Sequence, residues 1–330
     1  MKPKIYITRK LPEEIIVMLE KYCHVTMWQE EEQPVPYEVL EQEIESVEAL
    51  FCLLTDRIDV NLMDQASKLK VISTMAVGYN HIDIQAATDR KIIVTNTPGV
   101  LTETTADLTF ALLMAASRRL VEASDFLRKG QWKTWSPMQL SGQDIFGATL
   151  GIIGFGNIGQ AVARRAKGFN MDVLYYSRSR KEEAEKELCA NYVDMETLLR
   201  ESDFVCLLTP YTKETRYLID KKELALMKKT AILINTSRGE VVNEEALFNA
   251  LKNEQIWAAG LDVYEQEPIP LQHPLLTLPN VVTLPHIGSA SVKTRMAMAR
   301  LAAQQLIEGL QGDIPNNTLN PGAFKKEFGK

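Results

Sequence analysis

The sequence predicts an α/β protein built from parallel β-sheets, and three observations support this fold class. Short apolar segments of strand type alternate with amphipathic segments of helix type along almost all of the 330 residues, a pattern typical of consecutive βαβ units. A glycine-rich turn at residues 154–159 joins one such strand to the helix that follows it. The chain is also longer than one hydrophobic core usually supports, which indicates about two domains.

The first hundred residues contain predicted strands and the helices between them. The spacing of the apolar residues Ile15, Ile16 and Leu19 predicts a helix over residues 12–22. After Thr97-Pro98-Gly99 the pattern changes to one long helix that continues to Leu120. Its apolar residues are almost continuous, so we expect it to be buried on several sides. The strands in this part are predicted at Lys4–Thr8, Ala49–Leu54, Val71–Ala76 and Ile92–Thr95.

The middle of the chain interrupts the alternation before it resumes. Residues 129–144 contain two tryptophans, two glycines and a proline without a regular period, which predicts a long loop of the kind that often serves function or an interface. From residue 148 onward, about six strands within about 140 residues match the content of one doubly wound domain. An amphipathic helix is predicted from Ser289 to Gly312.

Composition and charge exclude several classes of protein. The net charge is −6, from 43 acidic and 37 basic residues, so a strongly basic nucleic-acid binder is excluded and no nucleic-acid partner is expected. The four cysteines are far apart and lack metal-ligand spacing, so no metal is predicted. Cys52 and Cys206 lie in apolar runs, as buried free thiols of a reducing compartment do. No segment resembles a signal peptide or a membrane span, and we expect a cytoplasmic protein without a membrane partner.

The glycine-rich turn predicts a dinucleotide site. It reads Gly154-Phe155-Gly156-Asn157-Ile158-Gly159, follows the apolar strand at 150–153 and begins a helix. One glycine makes the tight turn, the second lets the backbone approach a pyrophosphate, and the third allows the helix to pack on the strand. The anion would then lie at the helix N-terminus. The alternative is a glycine-rich turn of an ordinary α/β domain, but the strand before it and the helix after it favour the cofactor site.

The end of the next strand favours NADP(H) over NAD(H). NAD enzymes of this type usually carry an acidic residue about 20 positions after the turn, where it binds the ribose 2′-hydroxyl. Here the sequence is Ser177-Arg178-Ser179-Arg180, and arginine binds a 2′-phosphate through charge-assisted hydrogen bonds. The arginines could instead be solvated loop charges paired with nearby glutamates. Ser177 could still accept the unphosphorylated ribose, so NAD(H) remains possible.

Three polar residues follow later predicted strands and form a candidate catalytic set. Arg238 follows one strand, Glu267 lies beyond the next, and His286 follows the last. The carboxyl ends of parallel strands are where such sheets bind ligands. Each residue alone has an ordinary structural explanation, as a surface ion pair or a loop residue. Together they are the cation, the carboxylate and the proton donor that reduction of a keto acid requires.

These motifs resemble the D-isomer-specific 2-hydroxyacid dehydrogenase family over essentially the whole chain. The length and the stretch LYYSRSRKEE are most similar to the glyoxylate/hydroxypyruvate reductases of that family. The resemblance implies a discontinuous, flavodoxin-like substrate-binding domain at 1–98 and 289–330, with a Rossmann NAD(P)-binding domain inserted at 99–288. The motifs that carry it are residues 76–80, the glycine turn at 154–159, and residues 235–239, 262–268 and 285–288.

The resemblance also implies roles for individual residues. Arg238 would bind the substrate carboxylate, His286 would donate a proton to the carbonyl oxygen, and Glu267 would orient His286. The backbone N–H groups of Val77 and Gly78 would hold the same carboxylate. The residues that would contact the cofactor are Gly154, Phe155, Gly156, Asn157, Ile158, Gly159, Ser177, Arg178, Ser179, Thr236, Ser237, Asp262 and Gly288.

The family resemblance leaves alternatives for activity and implies a partner. Other members reduce 2-ketogluconate or act as D-lactate or phosphoglycerate dehydrogenases, and some relatives are non-enzymatic, nucleotide-sensing co-repressors. The family implies a homodimer, and the aromatic loop then suggests that Trp135 lines the substrate site of the neighbouring subunit. Trp132 and Trp135 could instead anchor the loop in their own subunit.

Overall fold

A computed structural model describes residues 2–324, which form two compact units. One unit comprises residues 2–101 and 291–324, and the other comprises residues 102–290. The chain therefore leaves the first unit once and returns to it with its last helix. Each unit contains one parallel sheet, so the predicted α/β class is confirmed.

Twelve strands and twelve α-helices make up the two units. The strands are β1 Lys4–Ile7, β2 His24–Met27, β3 Ala49–Cys52, β4 Val71–Thr74, β5 Ile93–Thr95, β6 Thr149–Ile153, β7 Asp172–Tyr176, β8 Ala190–Tyr192, β9 Phe204–Leu207, β10 Ile232–Asn235, β11 Ala258–Leu261 and β12 Val281–Thr283. The helices are α1 Glu13–Glu20, α2 Tyr37–Ile44, α3 Val60–Gln65, α4 Ile84–Asp89, α5 Thr102–Ser117, α6 Leu120–Arg128, α7 Asn157–Ala166, α8 Glu182–Leu188, α9 Met195–Glu201, α10 Lys221–Leu226, α11 Glu244–Lys252 and α12 Val292–Gln311. No helix within residues 2–324 has the length and apolar character needed to cross a membrane.

The first unit has a five-stranded sheet in the order β2-β1-β3-β4-β5. The edge strand β2 is absent from the sequence-based prediction. It pairs only with β1 and its residues alternate between exposed and half-buried, so His24 and Thr26 replace the apolar run of an inner strand. Helix α12 packs against β3, β4 and β5 of the same sheet. Ser291 caps its first turn, and Gly312 ends it with a φ of 94°.

The second unit has a seven-stranded sheet in the order β12-β11-β10-β9-β6-β7-β8. Alternate residues of β6 and β9 enter two different apolar clusters, one with α5 and α7 and the other with α9, α10 and α11. Both faces of the sheet are therefore covered, which explains why its strands appear in the sequence as continuous apolar runs. The chain order reverses beside β6, a position where sheets of this kind bind ligands.

The long helix predicted to continue to Leu120 is in fact two helices. Helix α5 ends at Ser117, and α6 begins at Leu120. Between them Arg119 has a left-handed backbone with a φ of 51°, which no continuous helix allows. Its guanidinium donates to both carboxylate oxygens of Glu122, at 2.7 Å each, and this holds the break.

Candidate functional site

Three adjacent strands of the second unit end beside the predicted catalytic residues. Arg238 lies three residues after β10, Glu267 lies in the loop after β11, and His286 lies three residues after β12. The three strands are neighbours in the sheet and run in the same direction. Their carboxyl ends therefore place all three side chains at one edge.

The structure brings His286 and Glu267 into direct contact. Nδ1 of His286 lies 2.6 Å from Oε2 of Glu267, and the other carboxylate oxygen accepts a hydrogen bond from the backbone N–H of Tyr264 at 3.0 Å. The backbone N–H of His286 donates to the carbonyl oxygen of Asp262 at 2.9 Å. His286 has a φ of 53°, a conformation uncommon outside glycine that is found at functional sites. Its Nε2 has no hydrogen-bond partner within residues 2–324.

Arg238 lies half-buried in the same part of the unit. Its Nη1 donates to the backbone oxygen of Ser237 at 2.7 Å. Burial lowers the pKa of the Arg238 guanidinium, while the carboxylates of Glu267 and Glu240 oppose that change. Arginine retains its charge at neutral pH even so. A partly desolvated guanidinium beside a His–Glu pair is suited to bind a carboxylate.

Asp262 presents an unsatisfied acceptor next to the histidine. The residue is 1% exposed, and its Oδ1 accepts from the N–H of Ile287 at 2.8 Å. Oδ2 is buried and accepts no hydrogen bond from the part of the chain that the structure describes. Burial raises the pKa of this carboxyl. A Cβ at Gly288 would lie 3.3 Å from Oδ2, so this glycine keeps the approach to the acceptor open.

Thr236 and Ser237, the two residues before Arg238, form hydrogen bonds within the protein. Oγ1 of Thr236 lies 2.7 Å from Oγ1 of Thr109 on α5. Ser237 donates from its backbone N–H and its hydroxyl to Oδ1 of Asn235, at 3.0 and 2.8 Å. Both side chains thus shape the end of β10.

The glycine turn has the geometry that a pyrophosphate site requires. Gly154 has a φ of 98°, and a Cβ there would lie 2.6 Å from the backbone of Leu208. A Cβ at Gly159 would lie 2.3 Å from the oxygen of Gly154, so the third glycine allows the helix to approach the strand. A Cβ at Gly156 would meet nothing within 4 Å.

The helix after the turn leaves its first N–H groups available. Gly156 is the N-cap of α7 and makes no side-chain cap, and N–H groups in a first turn lack acceptors inside the helix. Asn157 and Ile158 begin this helix, whereas the ring of Phe155 is buried and stacks on Tyr175 at 3.9 Å between centroids. The turn therefore fits a dinucleotide pyrophosphate.

Arg180 differs from the expectation that it is free to bind a phosphate. Its Nε and Nη2 donate to the two oxygens of Glu185 at 2.8 and 2.9 Å. The hydroxyl of Tyr175 donates to the same carboxylate at 2.6 Å and accepts from the N–H of Lys181 at 2.8 Å. Hydrogen bonds from Arg180 and then Tyr175 lower the pKa of Glu185 to about 2. Arg180 is thus paired with Glu185 and stabilises the loop.

Arg178 differs from Arg180 in its surroundings. Its side chain is exposed and has no ion pair with a residue of the described chain. A hydrogen bond with Thr212 lowers the pKa of Glu214, and the charge of Arg178 acts in the same direction. Ser177 donates its hydroxyl to the oxygen of Ser179 at 2.7 Å.

In the first unit, the loop after β4 presents two unused N–H groups. The backbone N–H groups of Val77 and Gly78 donate to no residue within 2–324. The carbonyl oxygens behind them are both held. Thr97 donates its N–H to the oxygen of Ala76 at 2.8 Å, and Asn96 donates its Nδ2 to the oxygen of Val77 at 2.8 Å.

Asn96 and Thr97, which hold this loop, are not among the residues that the sequence pattern singles out. A usable signal was present, since they follow β5, the strand next to β4. The aromatic loop at 129–144 has no helix or strand, as predicted. Trp135 is 75% exposed and Trp132 is 58% exposed, so neither anchors the loop in the core of its own chain. No group of three or more potential metal ligands occurs in the described part of the chain.

The fold and these strand ends define a dinucleotide-dependent dehydrogenase with a His–Glu pair. The sequence model of one protein family, "D-isomer specific 2-hydroxyacid dehydrogenase, NAD binding domain", matches residues 110–288. A glyoxylate reductase of Thermococcus litoralis is 54% identical over 324 residues, which are 97% of each chain. A glyoxylate reductase of Pyrococcus horikoshii is 51% identical over 329 residues and 98% of each chain.

Solved structures also match this fold over nearly the whole chain. The TT0316 protein of Thermus thermophilus superposes with a TM-score of 0.90 and 45% identity, over 96% of this chain and 99% of its own. The NADPH-dependent glyoxylate/hydroxypyruvate reductase of Sinorhizobium meliloti, bound to NADP and malonate, superposes with a TM-score of 0.88. It is 31% identical in sequence, and the match covers 99% of both chains. The chain belongs to the D-isomer-specific 2-hydroxyacid dehydrogenase family.

Proposed function

We propose that this protein reduces glyoxylate, and hydroxypyruvate as a related small 2-keto acid, to the 2-hydroxy acid, with NADPH preferred. The relatives that are 54% and 51% identical in sequence are glyoxylate reductases. A structural neighbour is an NADPH-dependent glyoxylate/hydroxypyruvate reductase. The observation that carries the proposal is the 2.6 Å contact between His286 and Glu267. It fixes the imidazole while Nε2 stays available for the substrate.

The residues of the chain perform the acid chemistry. The reduced nicotinamide, when bound, supplies the hydride that adds to the keto carbon. His286 as imidazolium donates the proton from Nε2 to the carbonyl oxygen and later regains one from solvent. Glu267 stabilises the imidazolium and fixes which nitrogen faces the substrate. Acid catalysis of this kind contributes about a hundredfold or more to rate.

The substrate carboxylate is assigned to two sets of donors. Arg238 binds it through the planar guanidinium, which also draws electron density from the adjacent ketone. Val77 and Gly78 provide backbone N–H groups, which is supported by the absence of any acceptor for them within residues 2–324. The malonate complex of the neighbour shows that a related protein binds a small dicarboxylate.

The residues that would hold the cofactor fit its chemistry. The turn at Gly154–Gly159 and the N-terminus of α7 would bind the pyrophosphate. The buried Oδ2 of Asp262 needs a donor, and the carboxamide N–H of a nicotinamide is one. Ser177, Arg178 and Ser179 would lie at the adenosine ribose, with Thr236, Ser237 and Gly288 near the nicotinamide.

The preference for NADPH rests on Arg178 and on the missing acidic residue. An acid at this position would accept from the 2′-hydroxyl and repel a 2′-phosphate. Ser177 has no charge to repel the phosphate, although its hydroxyl can still bind the unphosphorylated ribose. We expect NADPH to have the higher kcat/KM, with NADH usable. Replacing Ser177 by Asp together with Arg178 by Ile should reverse the order through KM more than through kcat, since the 2′ position is remote from hydride transfer. A double variant that still prefers NADPH would disprove the assignment.

We also propose a homodimer in the cytoplasm. Helix α6 has no buried residue, and Leu120, Val121 and Leu127 on it are exposed, as is Trp135. Large exposed apolar surfaces often mark interfaces. All four cysteines are free thiols, as is usual in a reducing compartment.

Trp135 provides the test of the dimer. We expect it to lie at the partner's substrate site and to limit substrate size, so that Trp135→Ala improves kcat/KM for larger 2-keto acids relative to glyoxylate. Sedimentation velocity of the wild type should give a single species of two chains. A monomer at micromolar concentration would remove the proposal, and an unchanged substrate preference in Trp135→Ala would remove the role of the tryptophan.

One rate panel separates the proposed function from its rivals. It measures glyoxylate, hydroxypyruvate, pyruvate, phosphohydroxypyruvate and 2-ketogluconate, each with NADPH and with NADH. The highest kcat/KM for glyoxylate or hydroxypyruvate with NADPH is expected. A maximum for another acid would assign a different dehydrogenase of the family. No turnover with any acid, combined with nucleotide binding, would favour a nucleotide-sensing co-repressor.

A further inference from the structure

A buried glutamine of the last helix lies behind the loop that presents the N–H groups of Val77 and Gly78. Gln305 is on the apolar face of α12 and is 2% exposed. Its Nε2 donates to the backbone oxygen of Asn96 at 2.9 Å. Asn96 in turn is 6% exposed and donates its side-chain Nδ2 to the oxygen of Val77.

Packing alone does not explain an amide at this position. Oε1 of Gln305 is buried and accepts no hydrogen bond from residues 2–324. Burying an unpaired polar group costs free energy that an unbranched apolar side chain of similar length avoids. The buried neighbours of Gln305 on this face are small, including Ala302 and Gly309. The hydrogen bond to Asn96 is therefore retained against a cost.

Peptide planarity connects that hydrogen bond to the loop. A trans peptide fixes the N–H of one residue opposite the C=O of the residue before it. Gln305 holds the oxygen of Asn96, and this sets the direction of the N–H of Thr97. That N–H holds the oxygen of Ala76, which sets the direction of the N–H of Val77.

The side chain of Asn96 completes the arrangement. It holds the oxygen of Val77, and the same peptide carries the N–H of Gly78. Hydrogen bonds to the neighbouring carbonyl oxygens thus orient both N–H groups that we assign to the substrate carboxylate. Asn96 takes part in both sets, through its backbone for Val77 and through its side chain for Gly78. Donors that are fixed before binding lose less entropy when the ligand arrives.

We propose that Gln305 is a positioning residue for substrate binding, which acts through Asn96 and Thr97 to orient the N–H groups of Val77 and Gly78. The inference rests on the proposed function, because it assumes that these N–H groups bind the carboxylate of a 2-keto acid. It predicts a contribution to substrate affinity from a residue of the last helix that touches neither substrate nor cofactor.

The test replaces Gln305 by Met, which keeps the length of the side chain and removes the amide. We expect the KM for glyoxylate, and the inhibition constant for oxalate, to rise about five- to tenfold, the effect of losing one oriented hydrogen bond. The dissociation constant for NADPH and kcat should change by less than about twofold. The variant removes one unpaired buried oxygen, Oε1 of Gln305, but takes the donor from another, the backbone oxygen of Asn96, so the melting temperature should change little. Amide exchange of the segment containing Thr97 should become faster.

Gln304→Met is the matched control. Gln304 is the preceding residue of α12, is exposed and donates its Nε2 to Glu308 at 2.8 Å. The KM of Gln304→Met should therefore equal that of the wild type. A Gln305→Met protein that melts earlier but keeps the wild-type KM would overturn the proposal, because the amide would then serve stability alone.

A second variant keeps the proposal testable if Gln305→Met does not fold. Asn96→Asp preserves size but replaces the donor to the oxygen of Val77 by an acceptor, and it should raise the same KM by more than Gln305→Met. A wild-type KM in a folded Asn96→Asp protein would also overturn the inference. Failure of the proposed function would look different, since the wild type itself would then reduce no 2-keto acid.

Discussion

The end of β12 and the end of β7 carry the two predicted recognition sites of the second unit, and they are held in different ways. At β12, backbone hydrogen bonds fix the chain, and His286 meets a carboxylate that is itself held by a backbone N–H. At β7, side chains on an exposed loop hold one another, with Arg180 paired to Glu185. Backbone hydrogen bonds therefore position His286 after β12, whereas a side-chain ion pair positions Arg180 after β7.

A large effect is expected at Arg238, which follows β10, the second strand from β12 in the sheet. Arg238→Lys keeps the charge but replaces a planar fork by a point charge, so kcat/KM for glyoxylate should fall about a hundredfold. Steady-state oxidation of NADPH measures it. Arg200→Lys on the exposed surface of α9 is the control and should behave as the wild type. Equal rates for both variants would mean that Arg238 does not bind the substrate.

A smaller effect is expected at Glu267. Glu267→Gln retains the size of the side chain but loses the charge that stabilises the imidazolium, so kcat at pH 7 should fall about tenfold or more. Glu245→Gln, an exposed change in α11, should keep the kcat of the wild type. An equal kcat in both variants would contradict the role of Glu267.

The smallest effects are expected in the loop after β7, where Arg180 is paired with Glu185 and Arg178 is not. Arg178→Ala should raise the KM for NADPH about tenfold and leave the KM for NADH nearly unchanged, because a free cation contacts only the 2′-phosphate. Arg180→Ala should change both KM values slightly and in the same direction, because that residue holds the loop. If Arg180→Ala instead raises only the KM for NADPH, Arg180 leaves Glu185 to bind the phosphate.

The strand ends were the most predictable part of the molecule. Apolar runs covered on both faces identify the inner strands, and the spacing of the glycines identifies the turn, where Gly154 and Gly159 each leave no room for a Cβ. The polar edge strand β2 lacks an apolar run, so its sequence pattern did not reveal it. The break at Arg119 depends on one left-handed residue that propensity does not forecast.

The sequence also did not predict which polar side chains form hydrogen bonds with one another. The pairing of Arg180 with Glu185, five residues further along, competes with every other acid of that segment, and sequence spacing does not decide among them. Gln305 and Asn96 are separated by 209 positions, so only the folded unit shows that they meet. A polar residue on an otherwise apolar helix face was the one available sign.

His286→Ala removes the side chain that we propose as the proton donor. The measurement combines the rate of glyoxylate reduction with the dissociation constant for NADPH, followed by the fluorescence of the bound nucleotide. We expect kcat to fall about a hundredfold or more, because the proton donor is lost, and NADPH binding to stay within about twofold of the wild type. Turnover close to that of the wild type in His286→Ala would contradict this expectation.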